Sequence, residues 1–198
     1  MIKRLFDIIF SFLGLILISP LLIIIALLIK INSSGLVFYR GERIGKSGKT
    51  FRIFKFRTMV ENADKIGGPS TAGDDPRLTK MGGFLKKYQL DELPQLINVL
   101  RGEMSLVGPR PEVRVYVDMM SNEEKKIILS VLPGMTDIAS LWNFHESDIL
   151  KGSSDPEKTY MERIRPEKIR LQMEYVKNRS FLLDFKLIIK TISKIFNG

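Results

Sequence analysis

Asp91 and Glu92 stand side by side in the run Leu90-Asp91-Glu92-Leu93-Pro94-Gln95-Leu96. Adjacent carboxylates of this kind can hold a divalent cation, attack an electrophile or cap a helix. The residues that follow set their surroundings. Leu93, Leu96, Ile97 and Leu100 recur at the spacing of one helical face, and Gly102 follows as a stop after Leu100 and Arg101. The spacing predicts a short amphipathic helix beginning near Asp91. Free N–H groups and the positive dipole end gather at such a start, so an anion such as phosphate is favoured beside an ionised carboxylate. The pattern also fits an Asp N-cap with Glu in the first turn. Spacing alone leaves both readings open.

Basic residues flank the pair. Lys86 and Lys87 lie within a turn and a half of Asp91, at the end of a second predicted helix, Leu78 to Tyr88. Downstream, Gly108-Pro109-Arg110-Pro111-Glu112 holds an Arg between two prolines. Pro109 and Pro111 fix their own φ, and Pro111 restricts Arg110 to extended conformations, so the guanidinium is presented with little backbone entropy left to lose. Such an Arg suits bidentate recognition of phosphate, and a rigid loop with a solvated Arg fits equally. Upstream, Thr50 to Arg57 alternates apolar and basic residues as a strand does, which offers Arg52, Lys55 and Arg57 as phosphate ligands or as a solvated strand face.

One apparent motif is discarded. Gly41-Glu42-Arg43-Ile44-Gly45-Lys46-Ser47 resembles a nucleotide-binding P-loop, but it has three residues between its glycines where four are needed, and a strand pattern follows where a helix is required. The segment reads as a hairpin with a Gly/Lys/Ser turn, after a strand candidate at Leu36 to Arg40. Between Glu61 and Arg77 the composition turns polar, with turn signals at Gly67-Gly68-Pro69 and Asp74-Asp75-Pro76, and predicts a mobile surface loop.

The chain of 198 residues is long enough for one domain with an appendage. Its 31 basic and 22 acidic residues leave a formal charge of +9, which points to an anionic partner. Cysteine is absent and His145 is the single histidine. That excludes disulfides, thiolate metal sites, a Cys nucleophile and a His-rich metal centre. No nucleic-acid motif accompanies the lysines, and no nucleic-acid partner is expected.

The N-terminus selects among anionic partners. Ile8 to Ile29 carries no charged residue and reaches the length needed to cross a bilayer. Ser19-Pro20 interrupts it near the middle, and Lys3 and Arg4 on one side are matched by Lys30 on the other. Proline removes a helical N–H and clashes with the carbonyl four residues back, so a bend is expected there, with Ser19 able to bond a freed backbone group. Two forms fit, a kinked transmembrane anchor and a re-entrant helix that dips into one leaflet, and the matched charges favour the second. The division expected is an anchor over 1–32 and a cytosolic domain over 33–198. The fold class expected is α/β, mainly helical with a small β-hairpin or sheet. Two amphipathic stretches are candidates for lying on the bilayer or packing in the core: the Leu93, Leu96, Ile97 and Leu100 face, and Phe181 to Phe196 with Lys186, Lys190 and Lys194.

Four separated features together resemble the bacterial sugar transferase family, the small monotopic phosphoglycosyl transferases. They are the apolar segment broken at Ser19-Pro20, Phe54-Lys55-Phe56-Arg57-Thr58-Met59, Leu90 to Leu96 with Asn98 to Ser105, and Gly108-Pro109-Arg110-Pro111. The resemblance continues to Pro133-Gly134-Met135-Thr136 and a closing helix with Asp184 and Lys186. It implies a magnesium-dependent enzyme on the cytoplasmic face of the bacterial inner membrane. That enzyme would move a sugar-1-phosphate from a UDP-sugar to a polyprenyl phosphate such as undecaprenyl phosphate and release UMP. By the same resemblance Asp91 is the nucleophile, forming an aspartyl-phosphosugar intermediate, and Glu92 helps to hold the metal. Arg110, with Arg57 and Lys86, cradles the phosphates. The sequence departs from the commonest family pattern at Thr136-Asp137-Ile138-Ala139-Ser140 and Trp142-Asn143-Phe144-His145-Glu146, a region expected near the sugar or uridine, which leaves the sugar open. A membrane-anchored binding or scaffold protein without turnover is the alternative, and the exposed apolar faces would also suit a homodimer.

Overall fold

The computed structural model describes residues 2–63, 66–68 and 70–197. Its first element, α1 (Ile2–Asn32), is a helix of 31 residues, about 46 Å long at the usual rise. Its helical backbone runs on through Pro20. The reason is local. Proline at 20 leaves the carbonyl of Ile16 without its usual donor, and Ser19 Oγ donates to that oxygen at 2.8 Å.

Helix α1 packs against the rest of the chain at both of its ends. Near its start, Arg4 donates to the carbonyls of Val99 at 2.6 Å and Leu100 at 3.1 Å, capping the helix that ends there. Asp7, buried, accepts from Ser105 Oγ at 2.8 Å and from the Leu106 N–H at 3.2 Å. Lys3 pairs with Asp184 near the C-terminus. In its second half, Ile25 and Ile29 form a core cluster with Phe56 and Leu85, joined by Leu22 and Leu90. The outer face is bare: Ile2, Leu17 and Ile31 are 78%, 81% and 83% exposed, with Leu5, Phe12 and Leu27 among the other exposed apolar residues. This apolar surface runs the length of the helix.

Short strands follow. β1 (Phe38–Tyr39) pairs antiparallel with β4 (Lys55–Phe56), and between them β2 (Glu42–Ile44) and β3 (Thr50–Arg52) form the expected hairpin, turning over Lys46–Gly48. The alternating stretch is not one strand. Phe51 and Ile53 are buried on one parity, then Phe54 and Phe56 on the other. Asn98, fully buried, causes the switch: its Oδ1 accepts from the Phe54 N–H at 2.8 Å and its Nδ2 donates to the Arg52 carbonyl at 2.9 Å. One side chain thus occupies the place of a neighbouring strand, and the chain turns there.

The described part of the polar segment from Glu61 to Arg77, residues 61–63, 66–68 and 70–77, gathers around Arg77. Arg77, 8% exposed, donates to the carbonyls of Ala63, Gly68 and Ser70 and pairs with Asp75 at 2.7 Å. Buried Ala72 joins a core cluster with Tyr116, Leu150, Tyr160 and Ile164. Pro69, part of the expected Gly-Gly-Pro turn, lies outside the described residues. Then α2 (Lys80–Lys87) begins at the N-cap Thr79, whose side chain accepts from the Gly82 N–H. Gly82 is required there, because a Cβ would meet the Thr58 carbonyl at 1.8 Å.

Leu90–Gln95 is a 3-10 turn rather than the start of one amphipathic α-helix, and α3 (Leu96–Arg101) begins only after it. Pro94 explains the difference, since it has no N–H for the Leu90 carbonyl and its ring opposes an α-helical approach to it. Gly102, at φ +80°, ends α3 as expected. Leu96 of the expected apolar face is buried beside Gly14 of α1, while Leu93, Ile97 and Leu100 are half-buried.

The remaining chain supports these elements. β5 (Ser105–Val107) pairs in parallel with β6 (Gly134–Thr136), separated by α4 (Arg114–Asp118) and α5 (Asn122–Ile128), the latter with a Ser121/Glu124 capping box. After α6 (Ile138–Trp142), α7 (Glu146–Leu150) and α8 (Pro156–Thr159), a wide π turn at Tyr160–Ile164 leads into α9 (Arg165–Asn178). The closing α10 (Phe181–Asn197) packs Leu187 inward and leaves Phe181, Leu182, Phe185, Ile189 and Ile192 exposed along one stripe. The ring of Phe181 meets that of Phe6 edge-on at 5.1 Å, which makes the bare faces of α1 and α10 continuous.

Candidate active site

Three elements bring four charges together. The 3-10 turn supplies Asp91 and Glu92, β4 supplies Lys55, and the segment after β5 supplies Arg110. Lys55 Nζ lies 3.1 Å from Asp91 Oδ2 and 2.9 Å from Glu92 Oε1, bridging the two carboxylates. Arg110 grips Glu92 with both terminal nitrogens, Nη1 donating to Oε2 at 2.9 Å and Nη2 to Oε1. The cluster has two negative and two positive charges and is largely enclosed, with Asp91 only 4% exposed. Glu92 thus meets a bidentate fork and an ammonium, whereas Asp91 meets the ammonium alone.

That asymmetry divides the pair electrostatically. Burial raises the Asp91 carboxyl, the nearby Glu92 charge adds to the rise, and Lys55 only partly offsets them, so its pKa lies above the ordinary value of 3.8. For Glu92, burial acts in the same direction but is outweighed by Arg110 and then Lys55, and its pKa falls well below the usual carboxylate range. Two acids, adjacent in sequence, are pushed apart: one is firmly ionised and one is more basic. Burial likewise disfavours the charged form of Lys55, but Asp91 and Glu92 together raise its pKa above 10.5.

Lys86 joins this group at longer range. Its Nζ donates to the Thr71 carbonyl at 3.4 Å, and burial, followed by repulsion from Lys55, lowers its pKa to about 8. Arg57 does not join it. Its guanidinium donates to the carbonyls of Ser33 and Ser34 and to Ser33 Oγ, clamping the turn after α1. The structure thus places Arg57 at that turn and not with the Asp91–Glu92 pair. Lys55, one of three basic residues in the alternating stretch, takes the central position instead. Parity could not select it, since the strand changes face at Ile53 and Phe54.

Beside the cluster lies a cavity of about 120 Å³. Lys55, Arg110 and Pro111 line it together with Gln95, Glu112, Tyr116, Glu146, Tyr160 and Lys168. Pro109 and Pro111 border a smaller adjoining hollow, and they hold the Arg110 backbone between the two spaces. Asp91 does not itself line the cavity; Lys55 stands between them. Glu146, from the segment where the sequence leaves the commonest family pattern, accepts from Asn143 Nδ2 at 2.8 Å and also faces the cavity.

The donor set suits magnesium in one way. Asp91 and Glu92 form no cluster of three or more acidic or imidazole ligands among the described residues. Magnesium, however, commonly takes one or two protein carboxylates and completes its shell from phosphate and water. Asp91 and Glu92 are the side chains that would hold such an ion.

Removing Lys55 tests the charge balance. Lys55→Met leaves Asp91 buried without its cation, at an expected cost of about 3–5 kcal/mol near neutral pH. Asp91 then has a folded pKa raised further above its unfolded value, so stability falls as pH rises through this range. Urea unfolding in detergent is expected to show a larger deficit at pH 8 than at pH 5; an equal deficit at both would mean that Lys55 acts only by packing.

Residues 1–198 match the family described as Bacterial sugar transferase. The exopolysaccharide production protein ExoY of Sinorhizobium fredii is 36% identical, with 98% of this chain and 84% of that protein aligned. The UDP-N-acetylgalactosamine-undecaprenyl-phosphate N-acetylgalactosaminephosphotransferase of Aeromonas hydrophila is 37% identical over 100% of this chain and 44% of its own length. The UDP-glucose:undecaprenyl-phosphate glucose-1-phosphate transferase of Escherichia coli is also 37% identical, over 99% of this chain and 40% of its own length. The chain thus spans most of one relative and less than half of the other two. A match along the entire chain, carrying the buried Asp91–Glu92 pair within it, makes this protein a member of the bacterial sugar transferase family.

Proposed function

We propose that the protein transfers a sugar-1-phosphate from a UDP-sugar to a polyprenyl phosphate, with undecaprenyl phosphate as the acceptor named for its relatives. The observation that carries this reading is the position of Asp91. It is the more basic of two electrostatically divided carboxylates, it abuts the cationic wall of a cavity, and it follows directly on Leu90, which packs against the apolar helix α1. A soluble, charged donor and a lipid-borne acceptor have to meet at such a boundary.

In this mechanism, Asp91 attacks the sugar-side phosphorus of the donor. The new acyl phosphate bond forms as the phosphoanhydride bond breaks, and UMP leaves with the bonding pair. A phosphate oxygen of the acceptor then attacks the same phosphorus, which frees the Asp91 carboxylate and yields a polyprenyl diphosphate sugar. Lys55 and Arg110 offset charge on the phosphate oxygens, and Lys86 adds a more distant positive charge. Asp91 and Glu92 would hold magnesium, which supplies Lewis-acid stabilisation of those oxygens. The raised basicity of Asp91 makes it a better nucleophile, and the depressed pKa of Glu92 keeps that residue ionised.

Membrane attachment by α1 from one side fits this chemistry. Both ends of α1 touch the same globular part, through Arg4 and Asp7 at the start and Ile25 and Ile29 later. A helix crossing a hydrocarbon layer about 30 Å thick would separate those ends. The continuous apolar face of α1 and α10 supports a protein seated in one leaflet of the bacterial inner membrane from the cytoplasmic side, its basic side chains near anionic headgroups.

The purified protein in lipid, given magnesium and a panel of UDP-sugars with undecaprenyl phosphate, is expected to release UMP. Asp91→Asn should lower turnover by about 10³-fold or more, and without acceptor the wild type should carry a phosphosugar on Asp91 by intact mass. Near-normal turnover in Asp91→Asn would remove the assigned nucleophile. Lys86, with a pKa of about 8, is charged below that pH and neutral above it. Donor KM should therefore rise as pH climbs through 8, and Lys86→Arg should abolish the rise. Tags at residues 1 and 198 should both resist reagents added outside intact cells; labelling of the N-terminal tag alone would indicate a crossing helix.

A further inference from the structure

Arg40, which follows β1, and Arg101, the last residue of α3, converge on one aromatic ring. The guanidinium carbon of Arg40 lies 3.4 Å from the centre of the Phe54 ring, and that of Arg101 lies 4.8 Å from it. Two such carbons cannot be farther apart than the sum of those distances, a gap that one phosphate with two free oxygens can span. Like charges this close repel, and a carboxylate between them would relieve it. Among the described residues neither arginine has one as an ion-pair partner. Glu103, just after α3, accepts from Asn98 Nδ2 at 2.6 Å, and Arg40 donates to the Arg52 carbonyl at 3.5 Å. Arg52 adds a third positive charge nearby, opposite Glu42 across the hairpin.

The pair is separate from the reaction centre. Lys55, next in the chain after Phe54, turns to the other side of β4 and meets Asp91 and Glu92, and neither Arg40 nor Arg101 lines the cavity beside them. Arg101 is exposed and Arg40 half-buried, so the pair opens to the surface.

Its neighbours identify the kind of ligand. Arg101 directly follows Leu100, whose carbonyl accepts from Arg4 in the first turn of α1, where Ile2 and Leu5 are exposed. On the other side, the Phe54 ring meets Phe38 edge-on at 6.1 Å, and Phe38 is itself exposed, as are Leu36 before it and Ile31 at the end of α1. The positive charge thus adjoins bare apolar surface of α1 and β1. A free phosphate or an acidic peptide would use the charge alone, whereas a lipid uses both. A zwitterionic headgroup would bring its own cation against two guanidinium groups, and an anionic one would not.

We infer that Arg40 and Arg101, backed by Phe54, form a discrete site for the phosphodiester of one anionic phospholipid. Diffuse attraction of basic side chains to a charged leaflet requires no particular arginine; this site does. A lipid held there fastens β1 and the end of α3 to the leaflet that receives α1, which sets the tilt of the domain against the bilayer. The site needs α1 to lie in lipid and is independent of the transferase chemistry.

Native mass spectra of the full chain in a non-ionic detergent, titrated with dioleoyl phosphatidylglycerol or dioleoyl phosphatidylcholine, test this. The wild type is expected to take up one phosphatidylglycerol at least about tenfold more tightly than phosphatidylcholine, and Arg40→Gln/Arg101→Gln should lose that preference. Lys46→Gln/Lys49→Gln, which removes the same charge from the exposed hairpin turn, should stay within about twofold of wild type. Arg101→Gln alone, at an exposed position, repeats the measurement if the double variant is recovered poorly, with a loss of at least about fivefold expected. Equal losses in the arginine and lysine variants would overturn the inference in favour of diffuse charge, and equal affinity of the wild type for the two lipids would overturn it directly. Displacement of the lipid by millimolar inorganic phosphate would make the pair a free-anion site and also overturn it. Arginine-dependent binding of undecaprenyl phosphate in preference to phosphatidylglycerol would do the same, by assigning the pair to the acceptor.

Discussion

Placing two adjacent carboxylates out of water is unfavourable unless cations accompany them, and the central part of this fold satisfies that constraint. Lys55 between Asp91 and Glu92, with Arg110 forked on Glu92, neutralises the pair in place. Each cation depends on a separate device. Lys55 faces the acids because Asn98 turns the strand at Phe54, and Arg110 is directed by the prolines on either side of it. The pair itself sits on a 3-10 turn that Pro94 keeps from joining α3.

The same elements tie the charged centre to the apolar helix. Asn98 lies on α3, the C-terminal carbonyls of α3 are capped by Arg4 of α1, and Asp7 of α1 accepts from the start of β5. Leu90, one residue before Asp91, packs in the cluster of Ile25 and Ile29. A displacement of α1 would therefore be felt at the carboxylates through packed and hydrogen-bonded neighbours. This connection gives a physical reason for α1 to be an integral part of the domain as well as an anchor, and it blurs the simple division at residue 32 expected from composition.

Unequal surroundings allow two neighbouring acids to differ. Glu92 receives most of the positive charge and is held ionised, while Asp91 keeps a raised proton affinity. Such a division matches the proposed roles of metal holder and nucleophile, and it arises from which oxygen each cation reaches. The cavity alongside is lined by both acidic and basic side chains.

Several features were legible in the chain before any coordinates. The apolar run of α1, the repair of its proline by Ser19, the hairpin after Gly41 and the stop at Gly102 follow from local rules of capping, turn chemistry and periodicity, whereas Asp91, Glu92 and Arg110 were singled out by the resemblance to the family. Other features were hidden because their causes are distant in sequence. Arg57 was drawn to the Ser33-Ser34 turn, Arg77 bonds to carbonyls of the polar segment that precedes it, and Leu96 packs beside Gly14. Lys55 could not be separated from Arg52 and Arg57, since strand parity holds only while the strand is straight and Asn98, more than forty residues away, bends it. Sequence alone determined the residue types and the local conformations available to them. Tertiary structure decided which charge faces which, because electrostatic partnership depends on distance through the folded interior, a quantity that order along the chain does not encode.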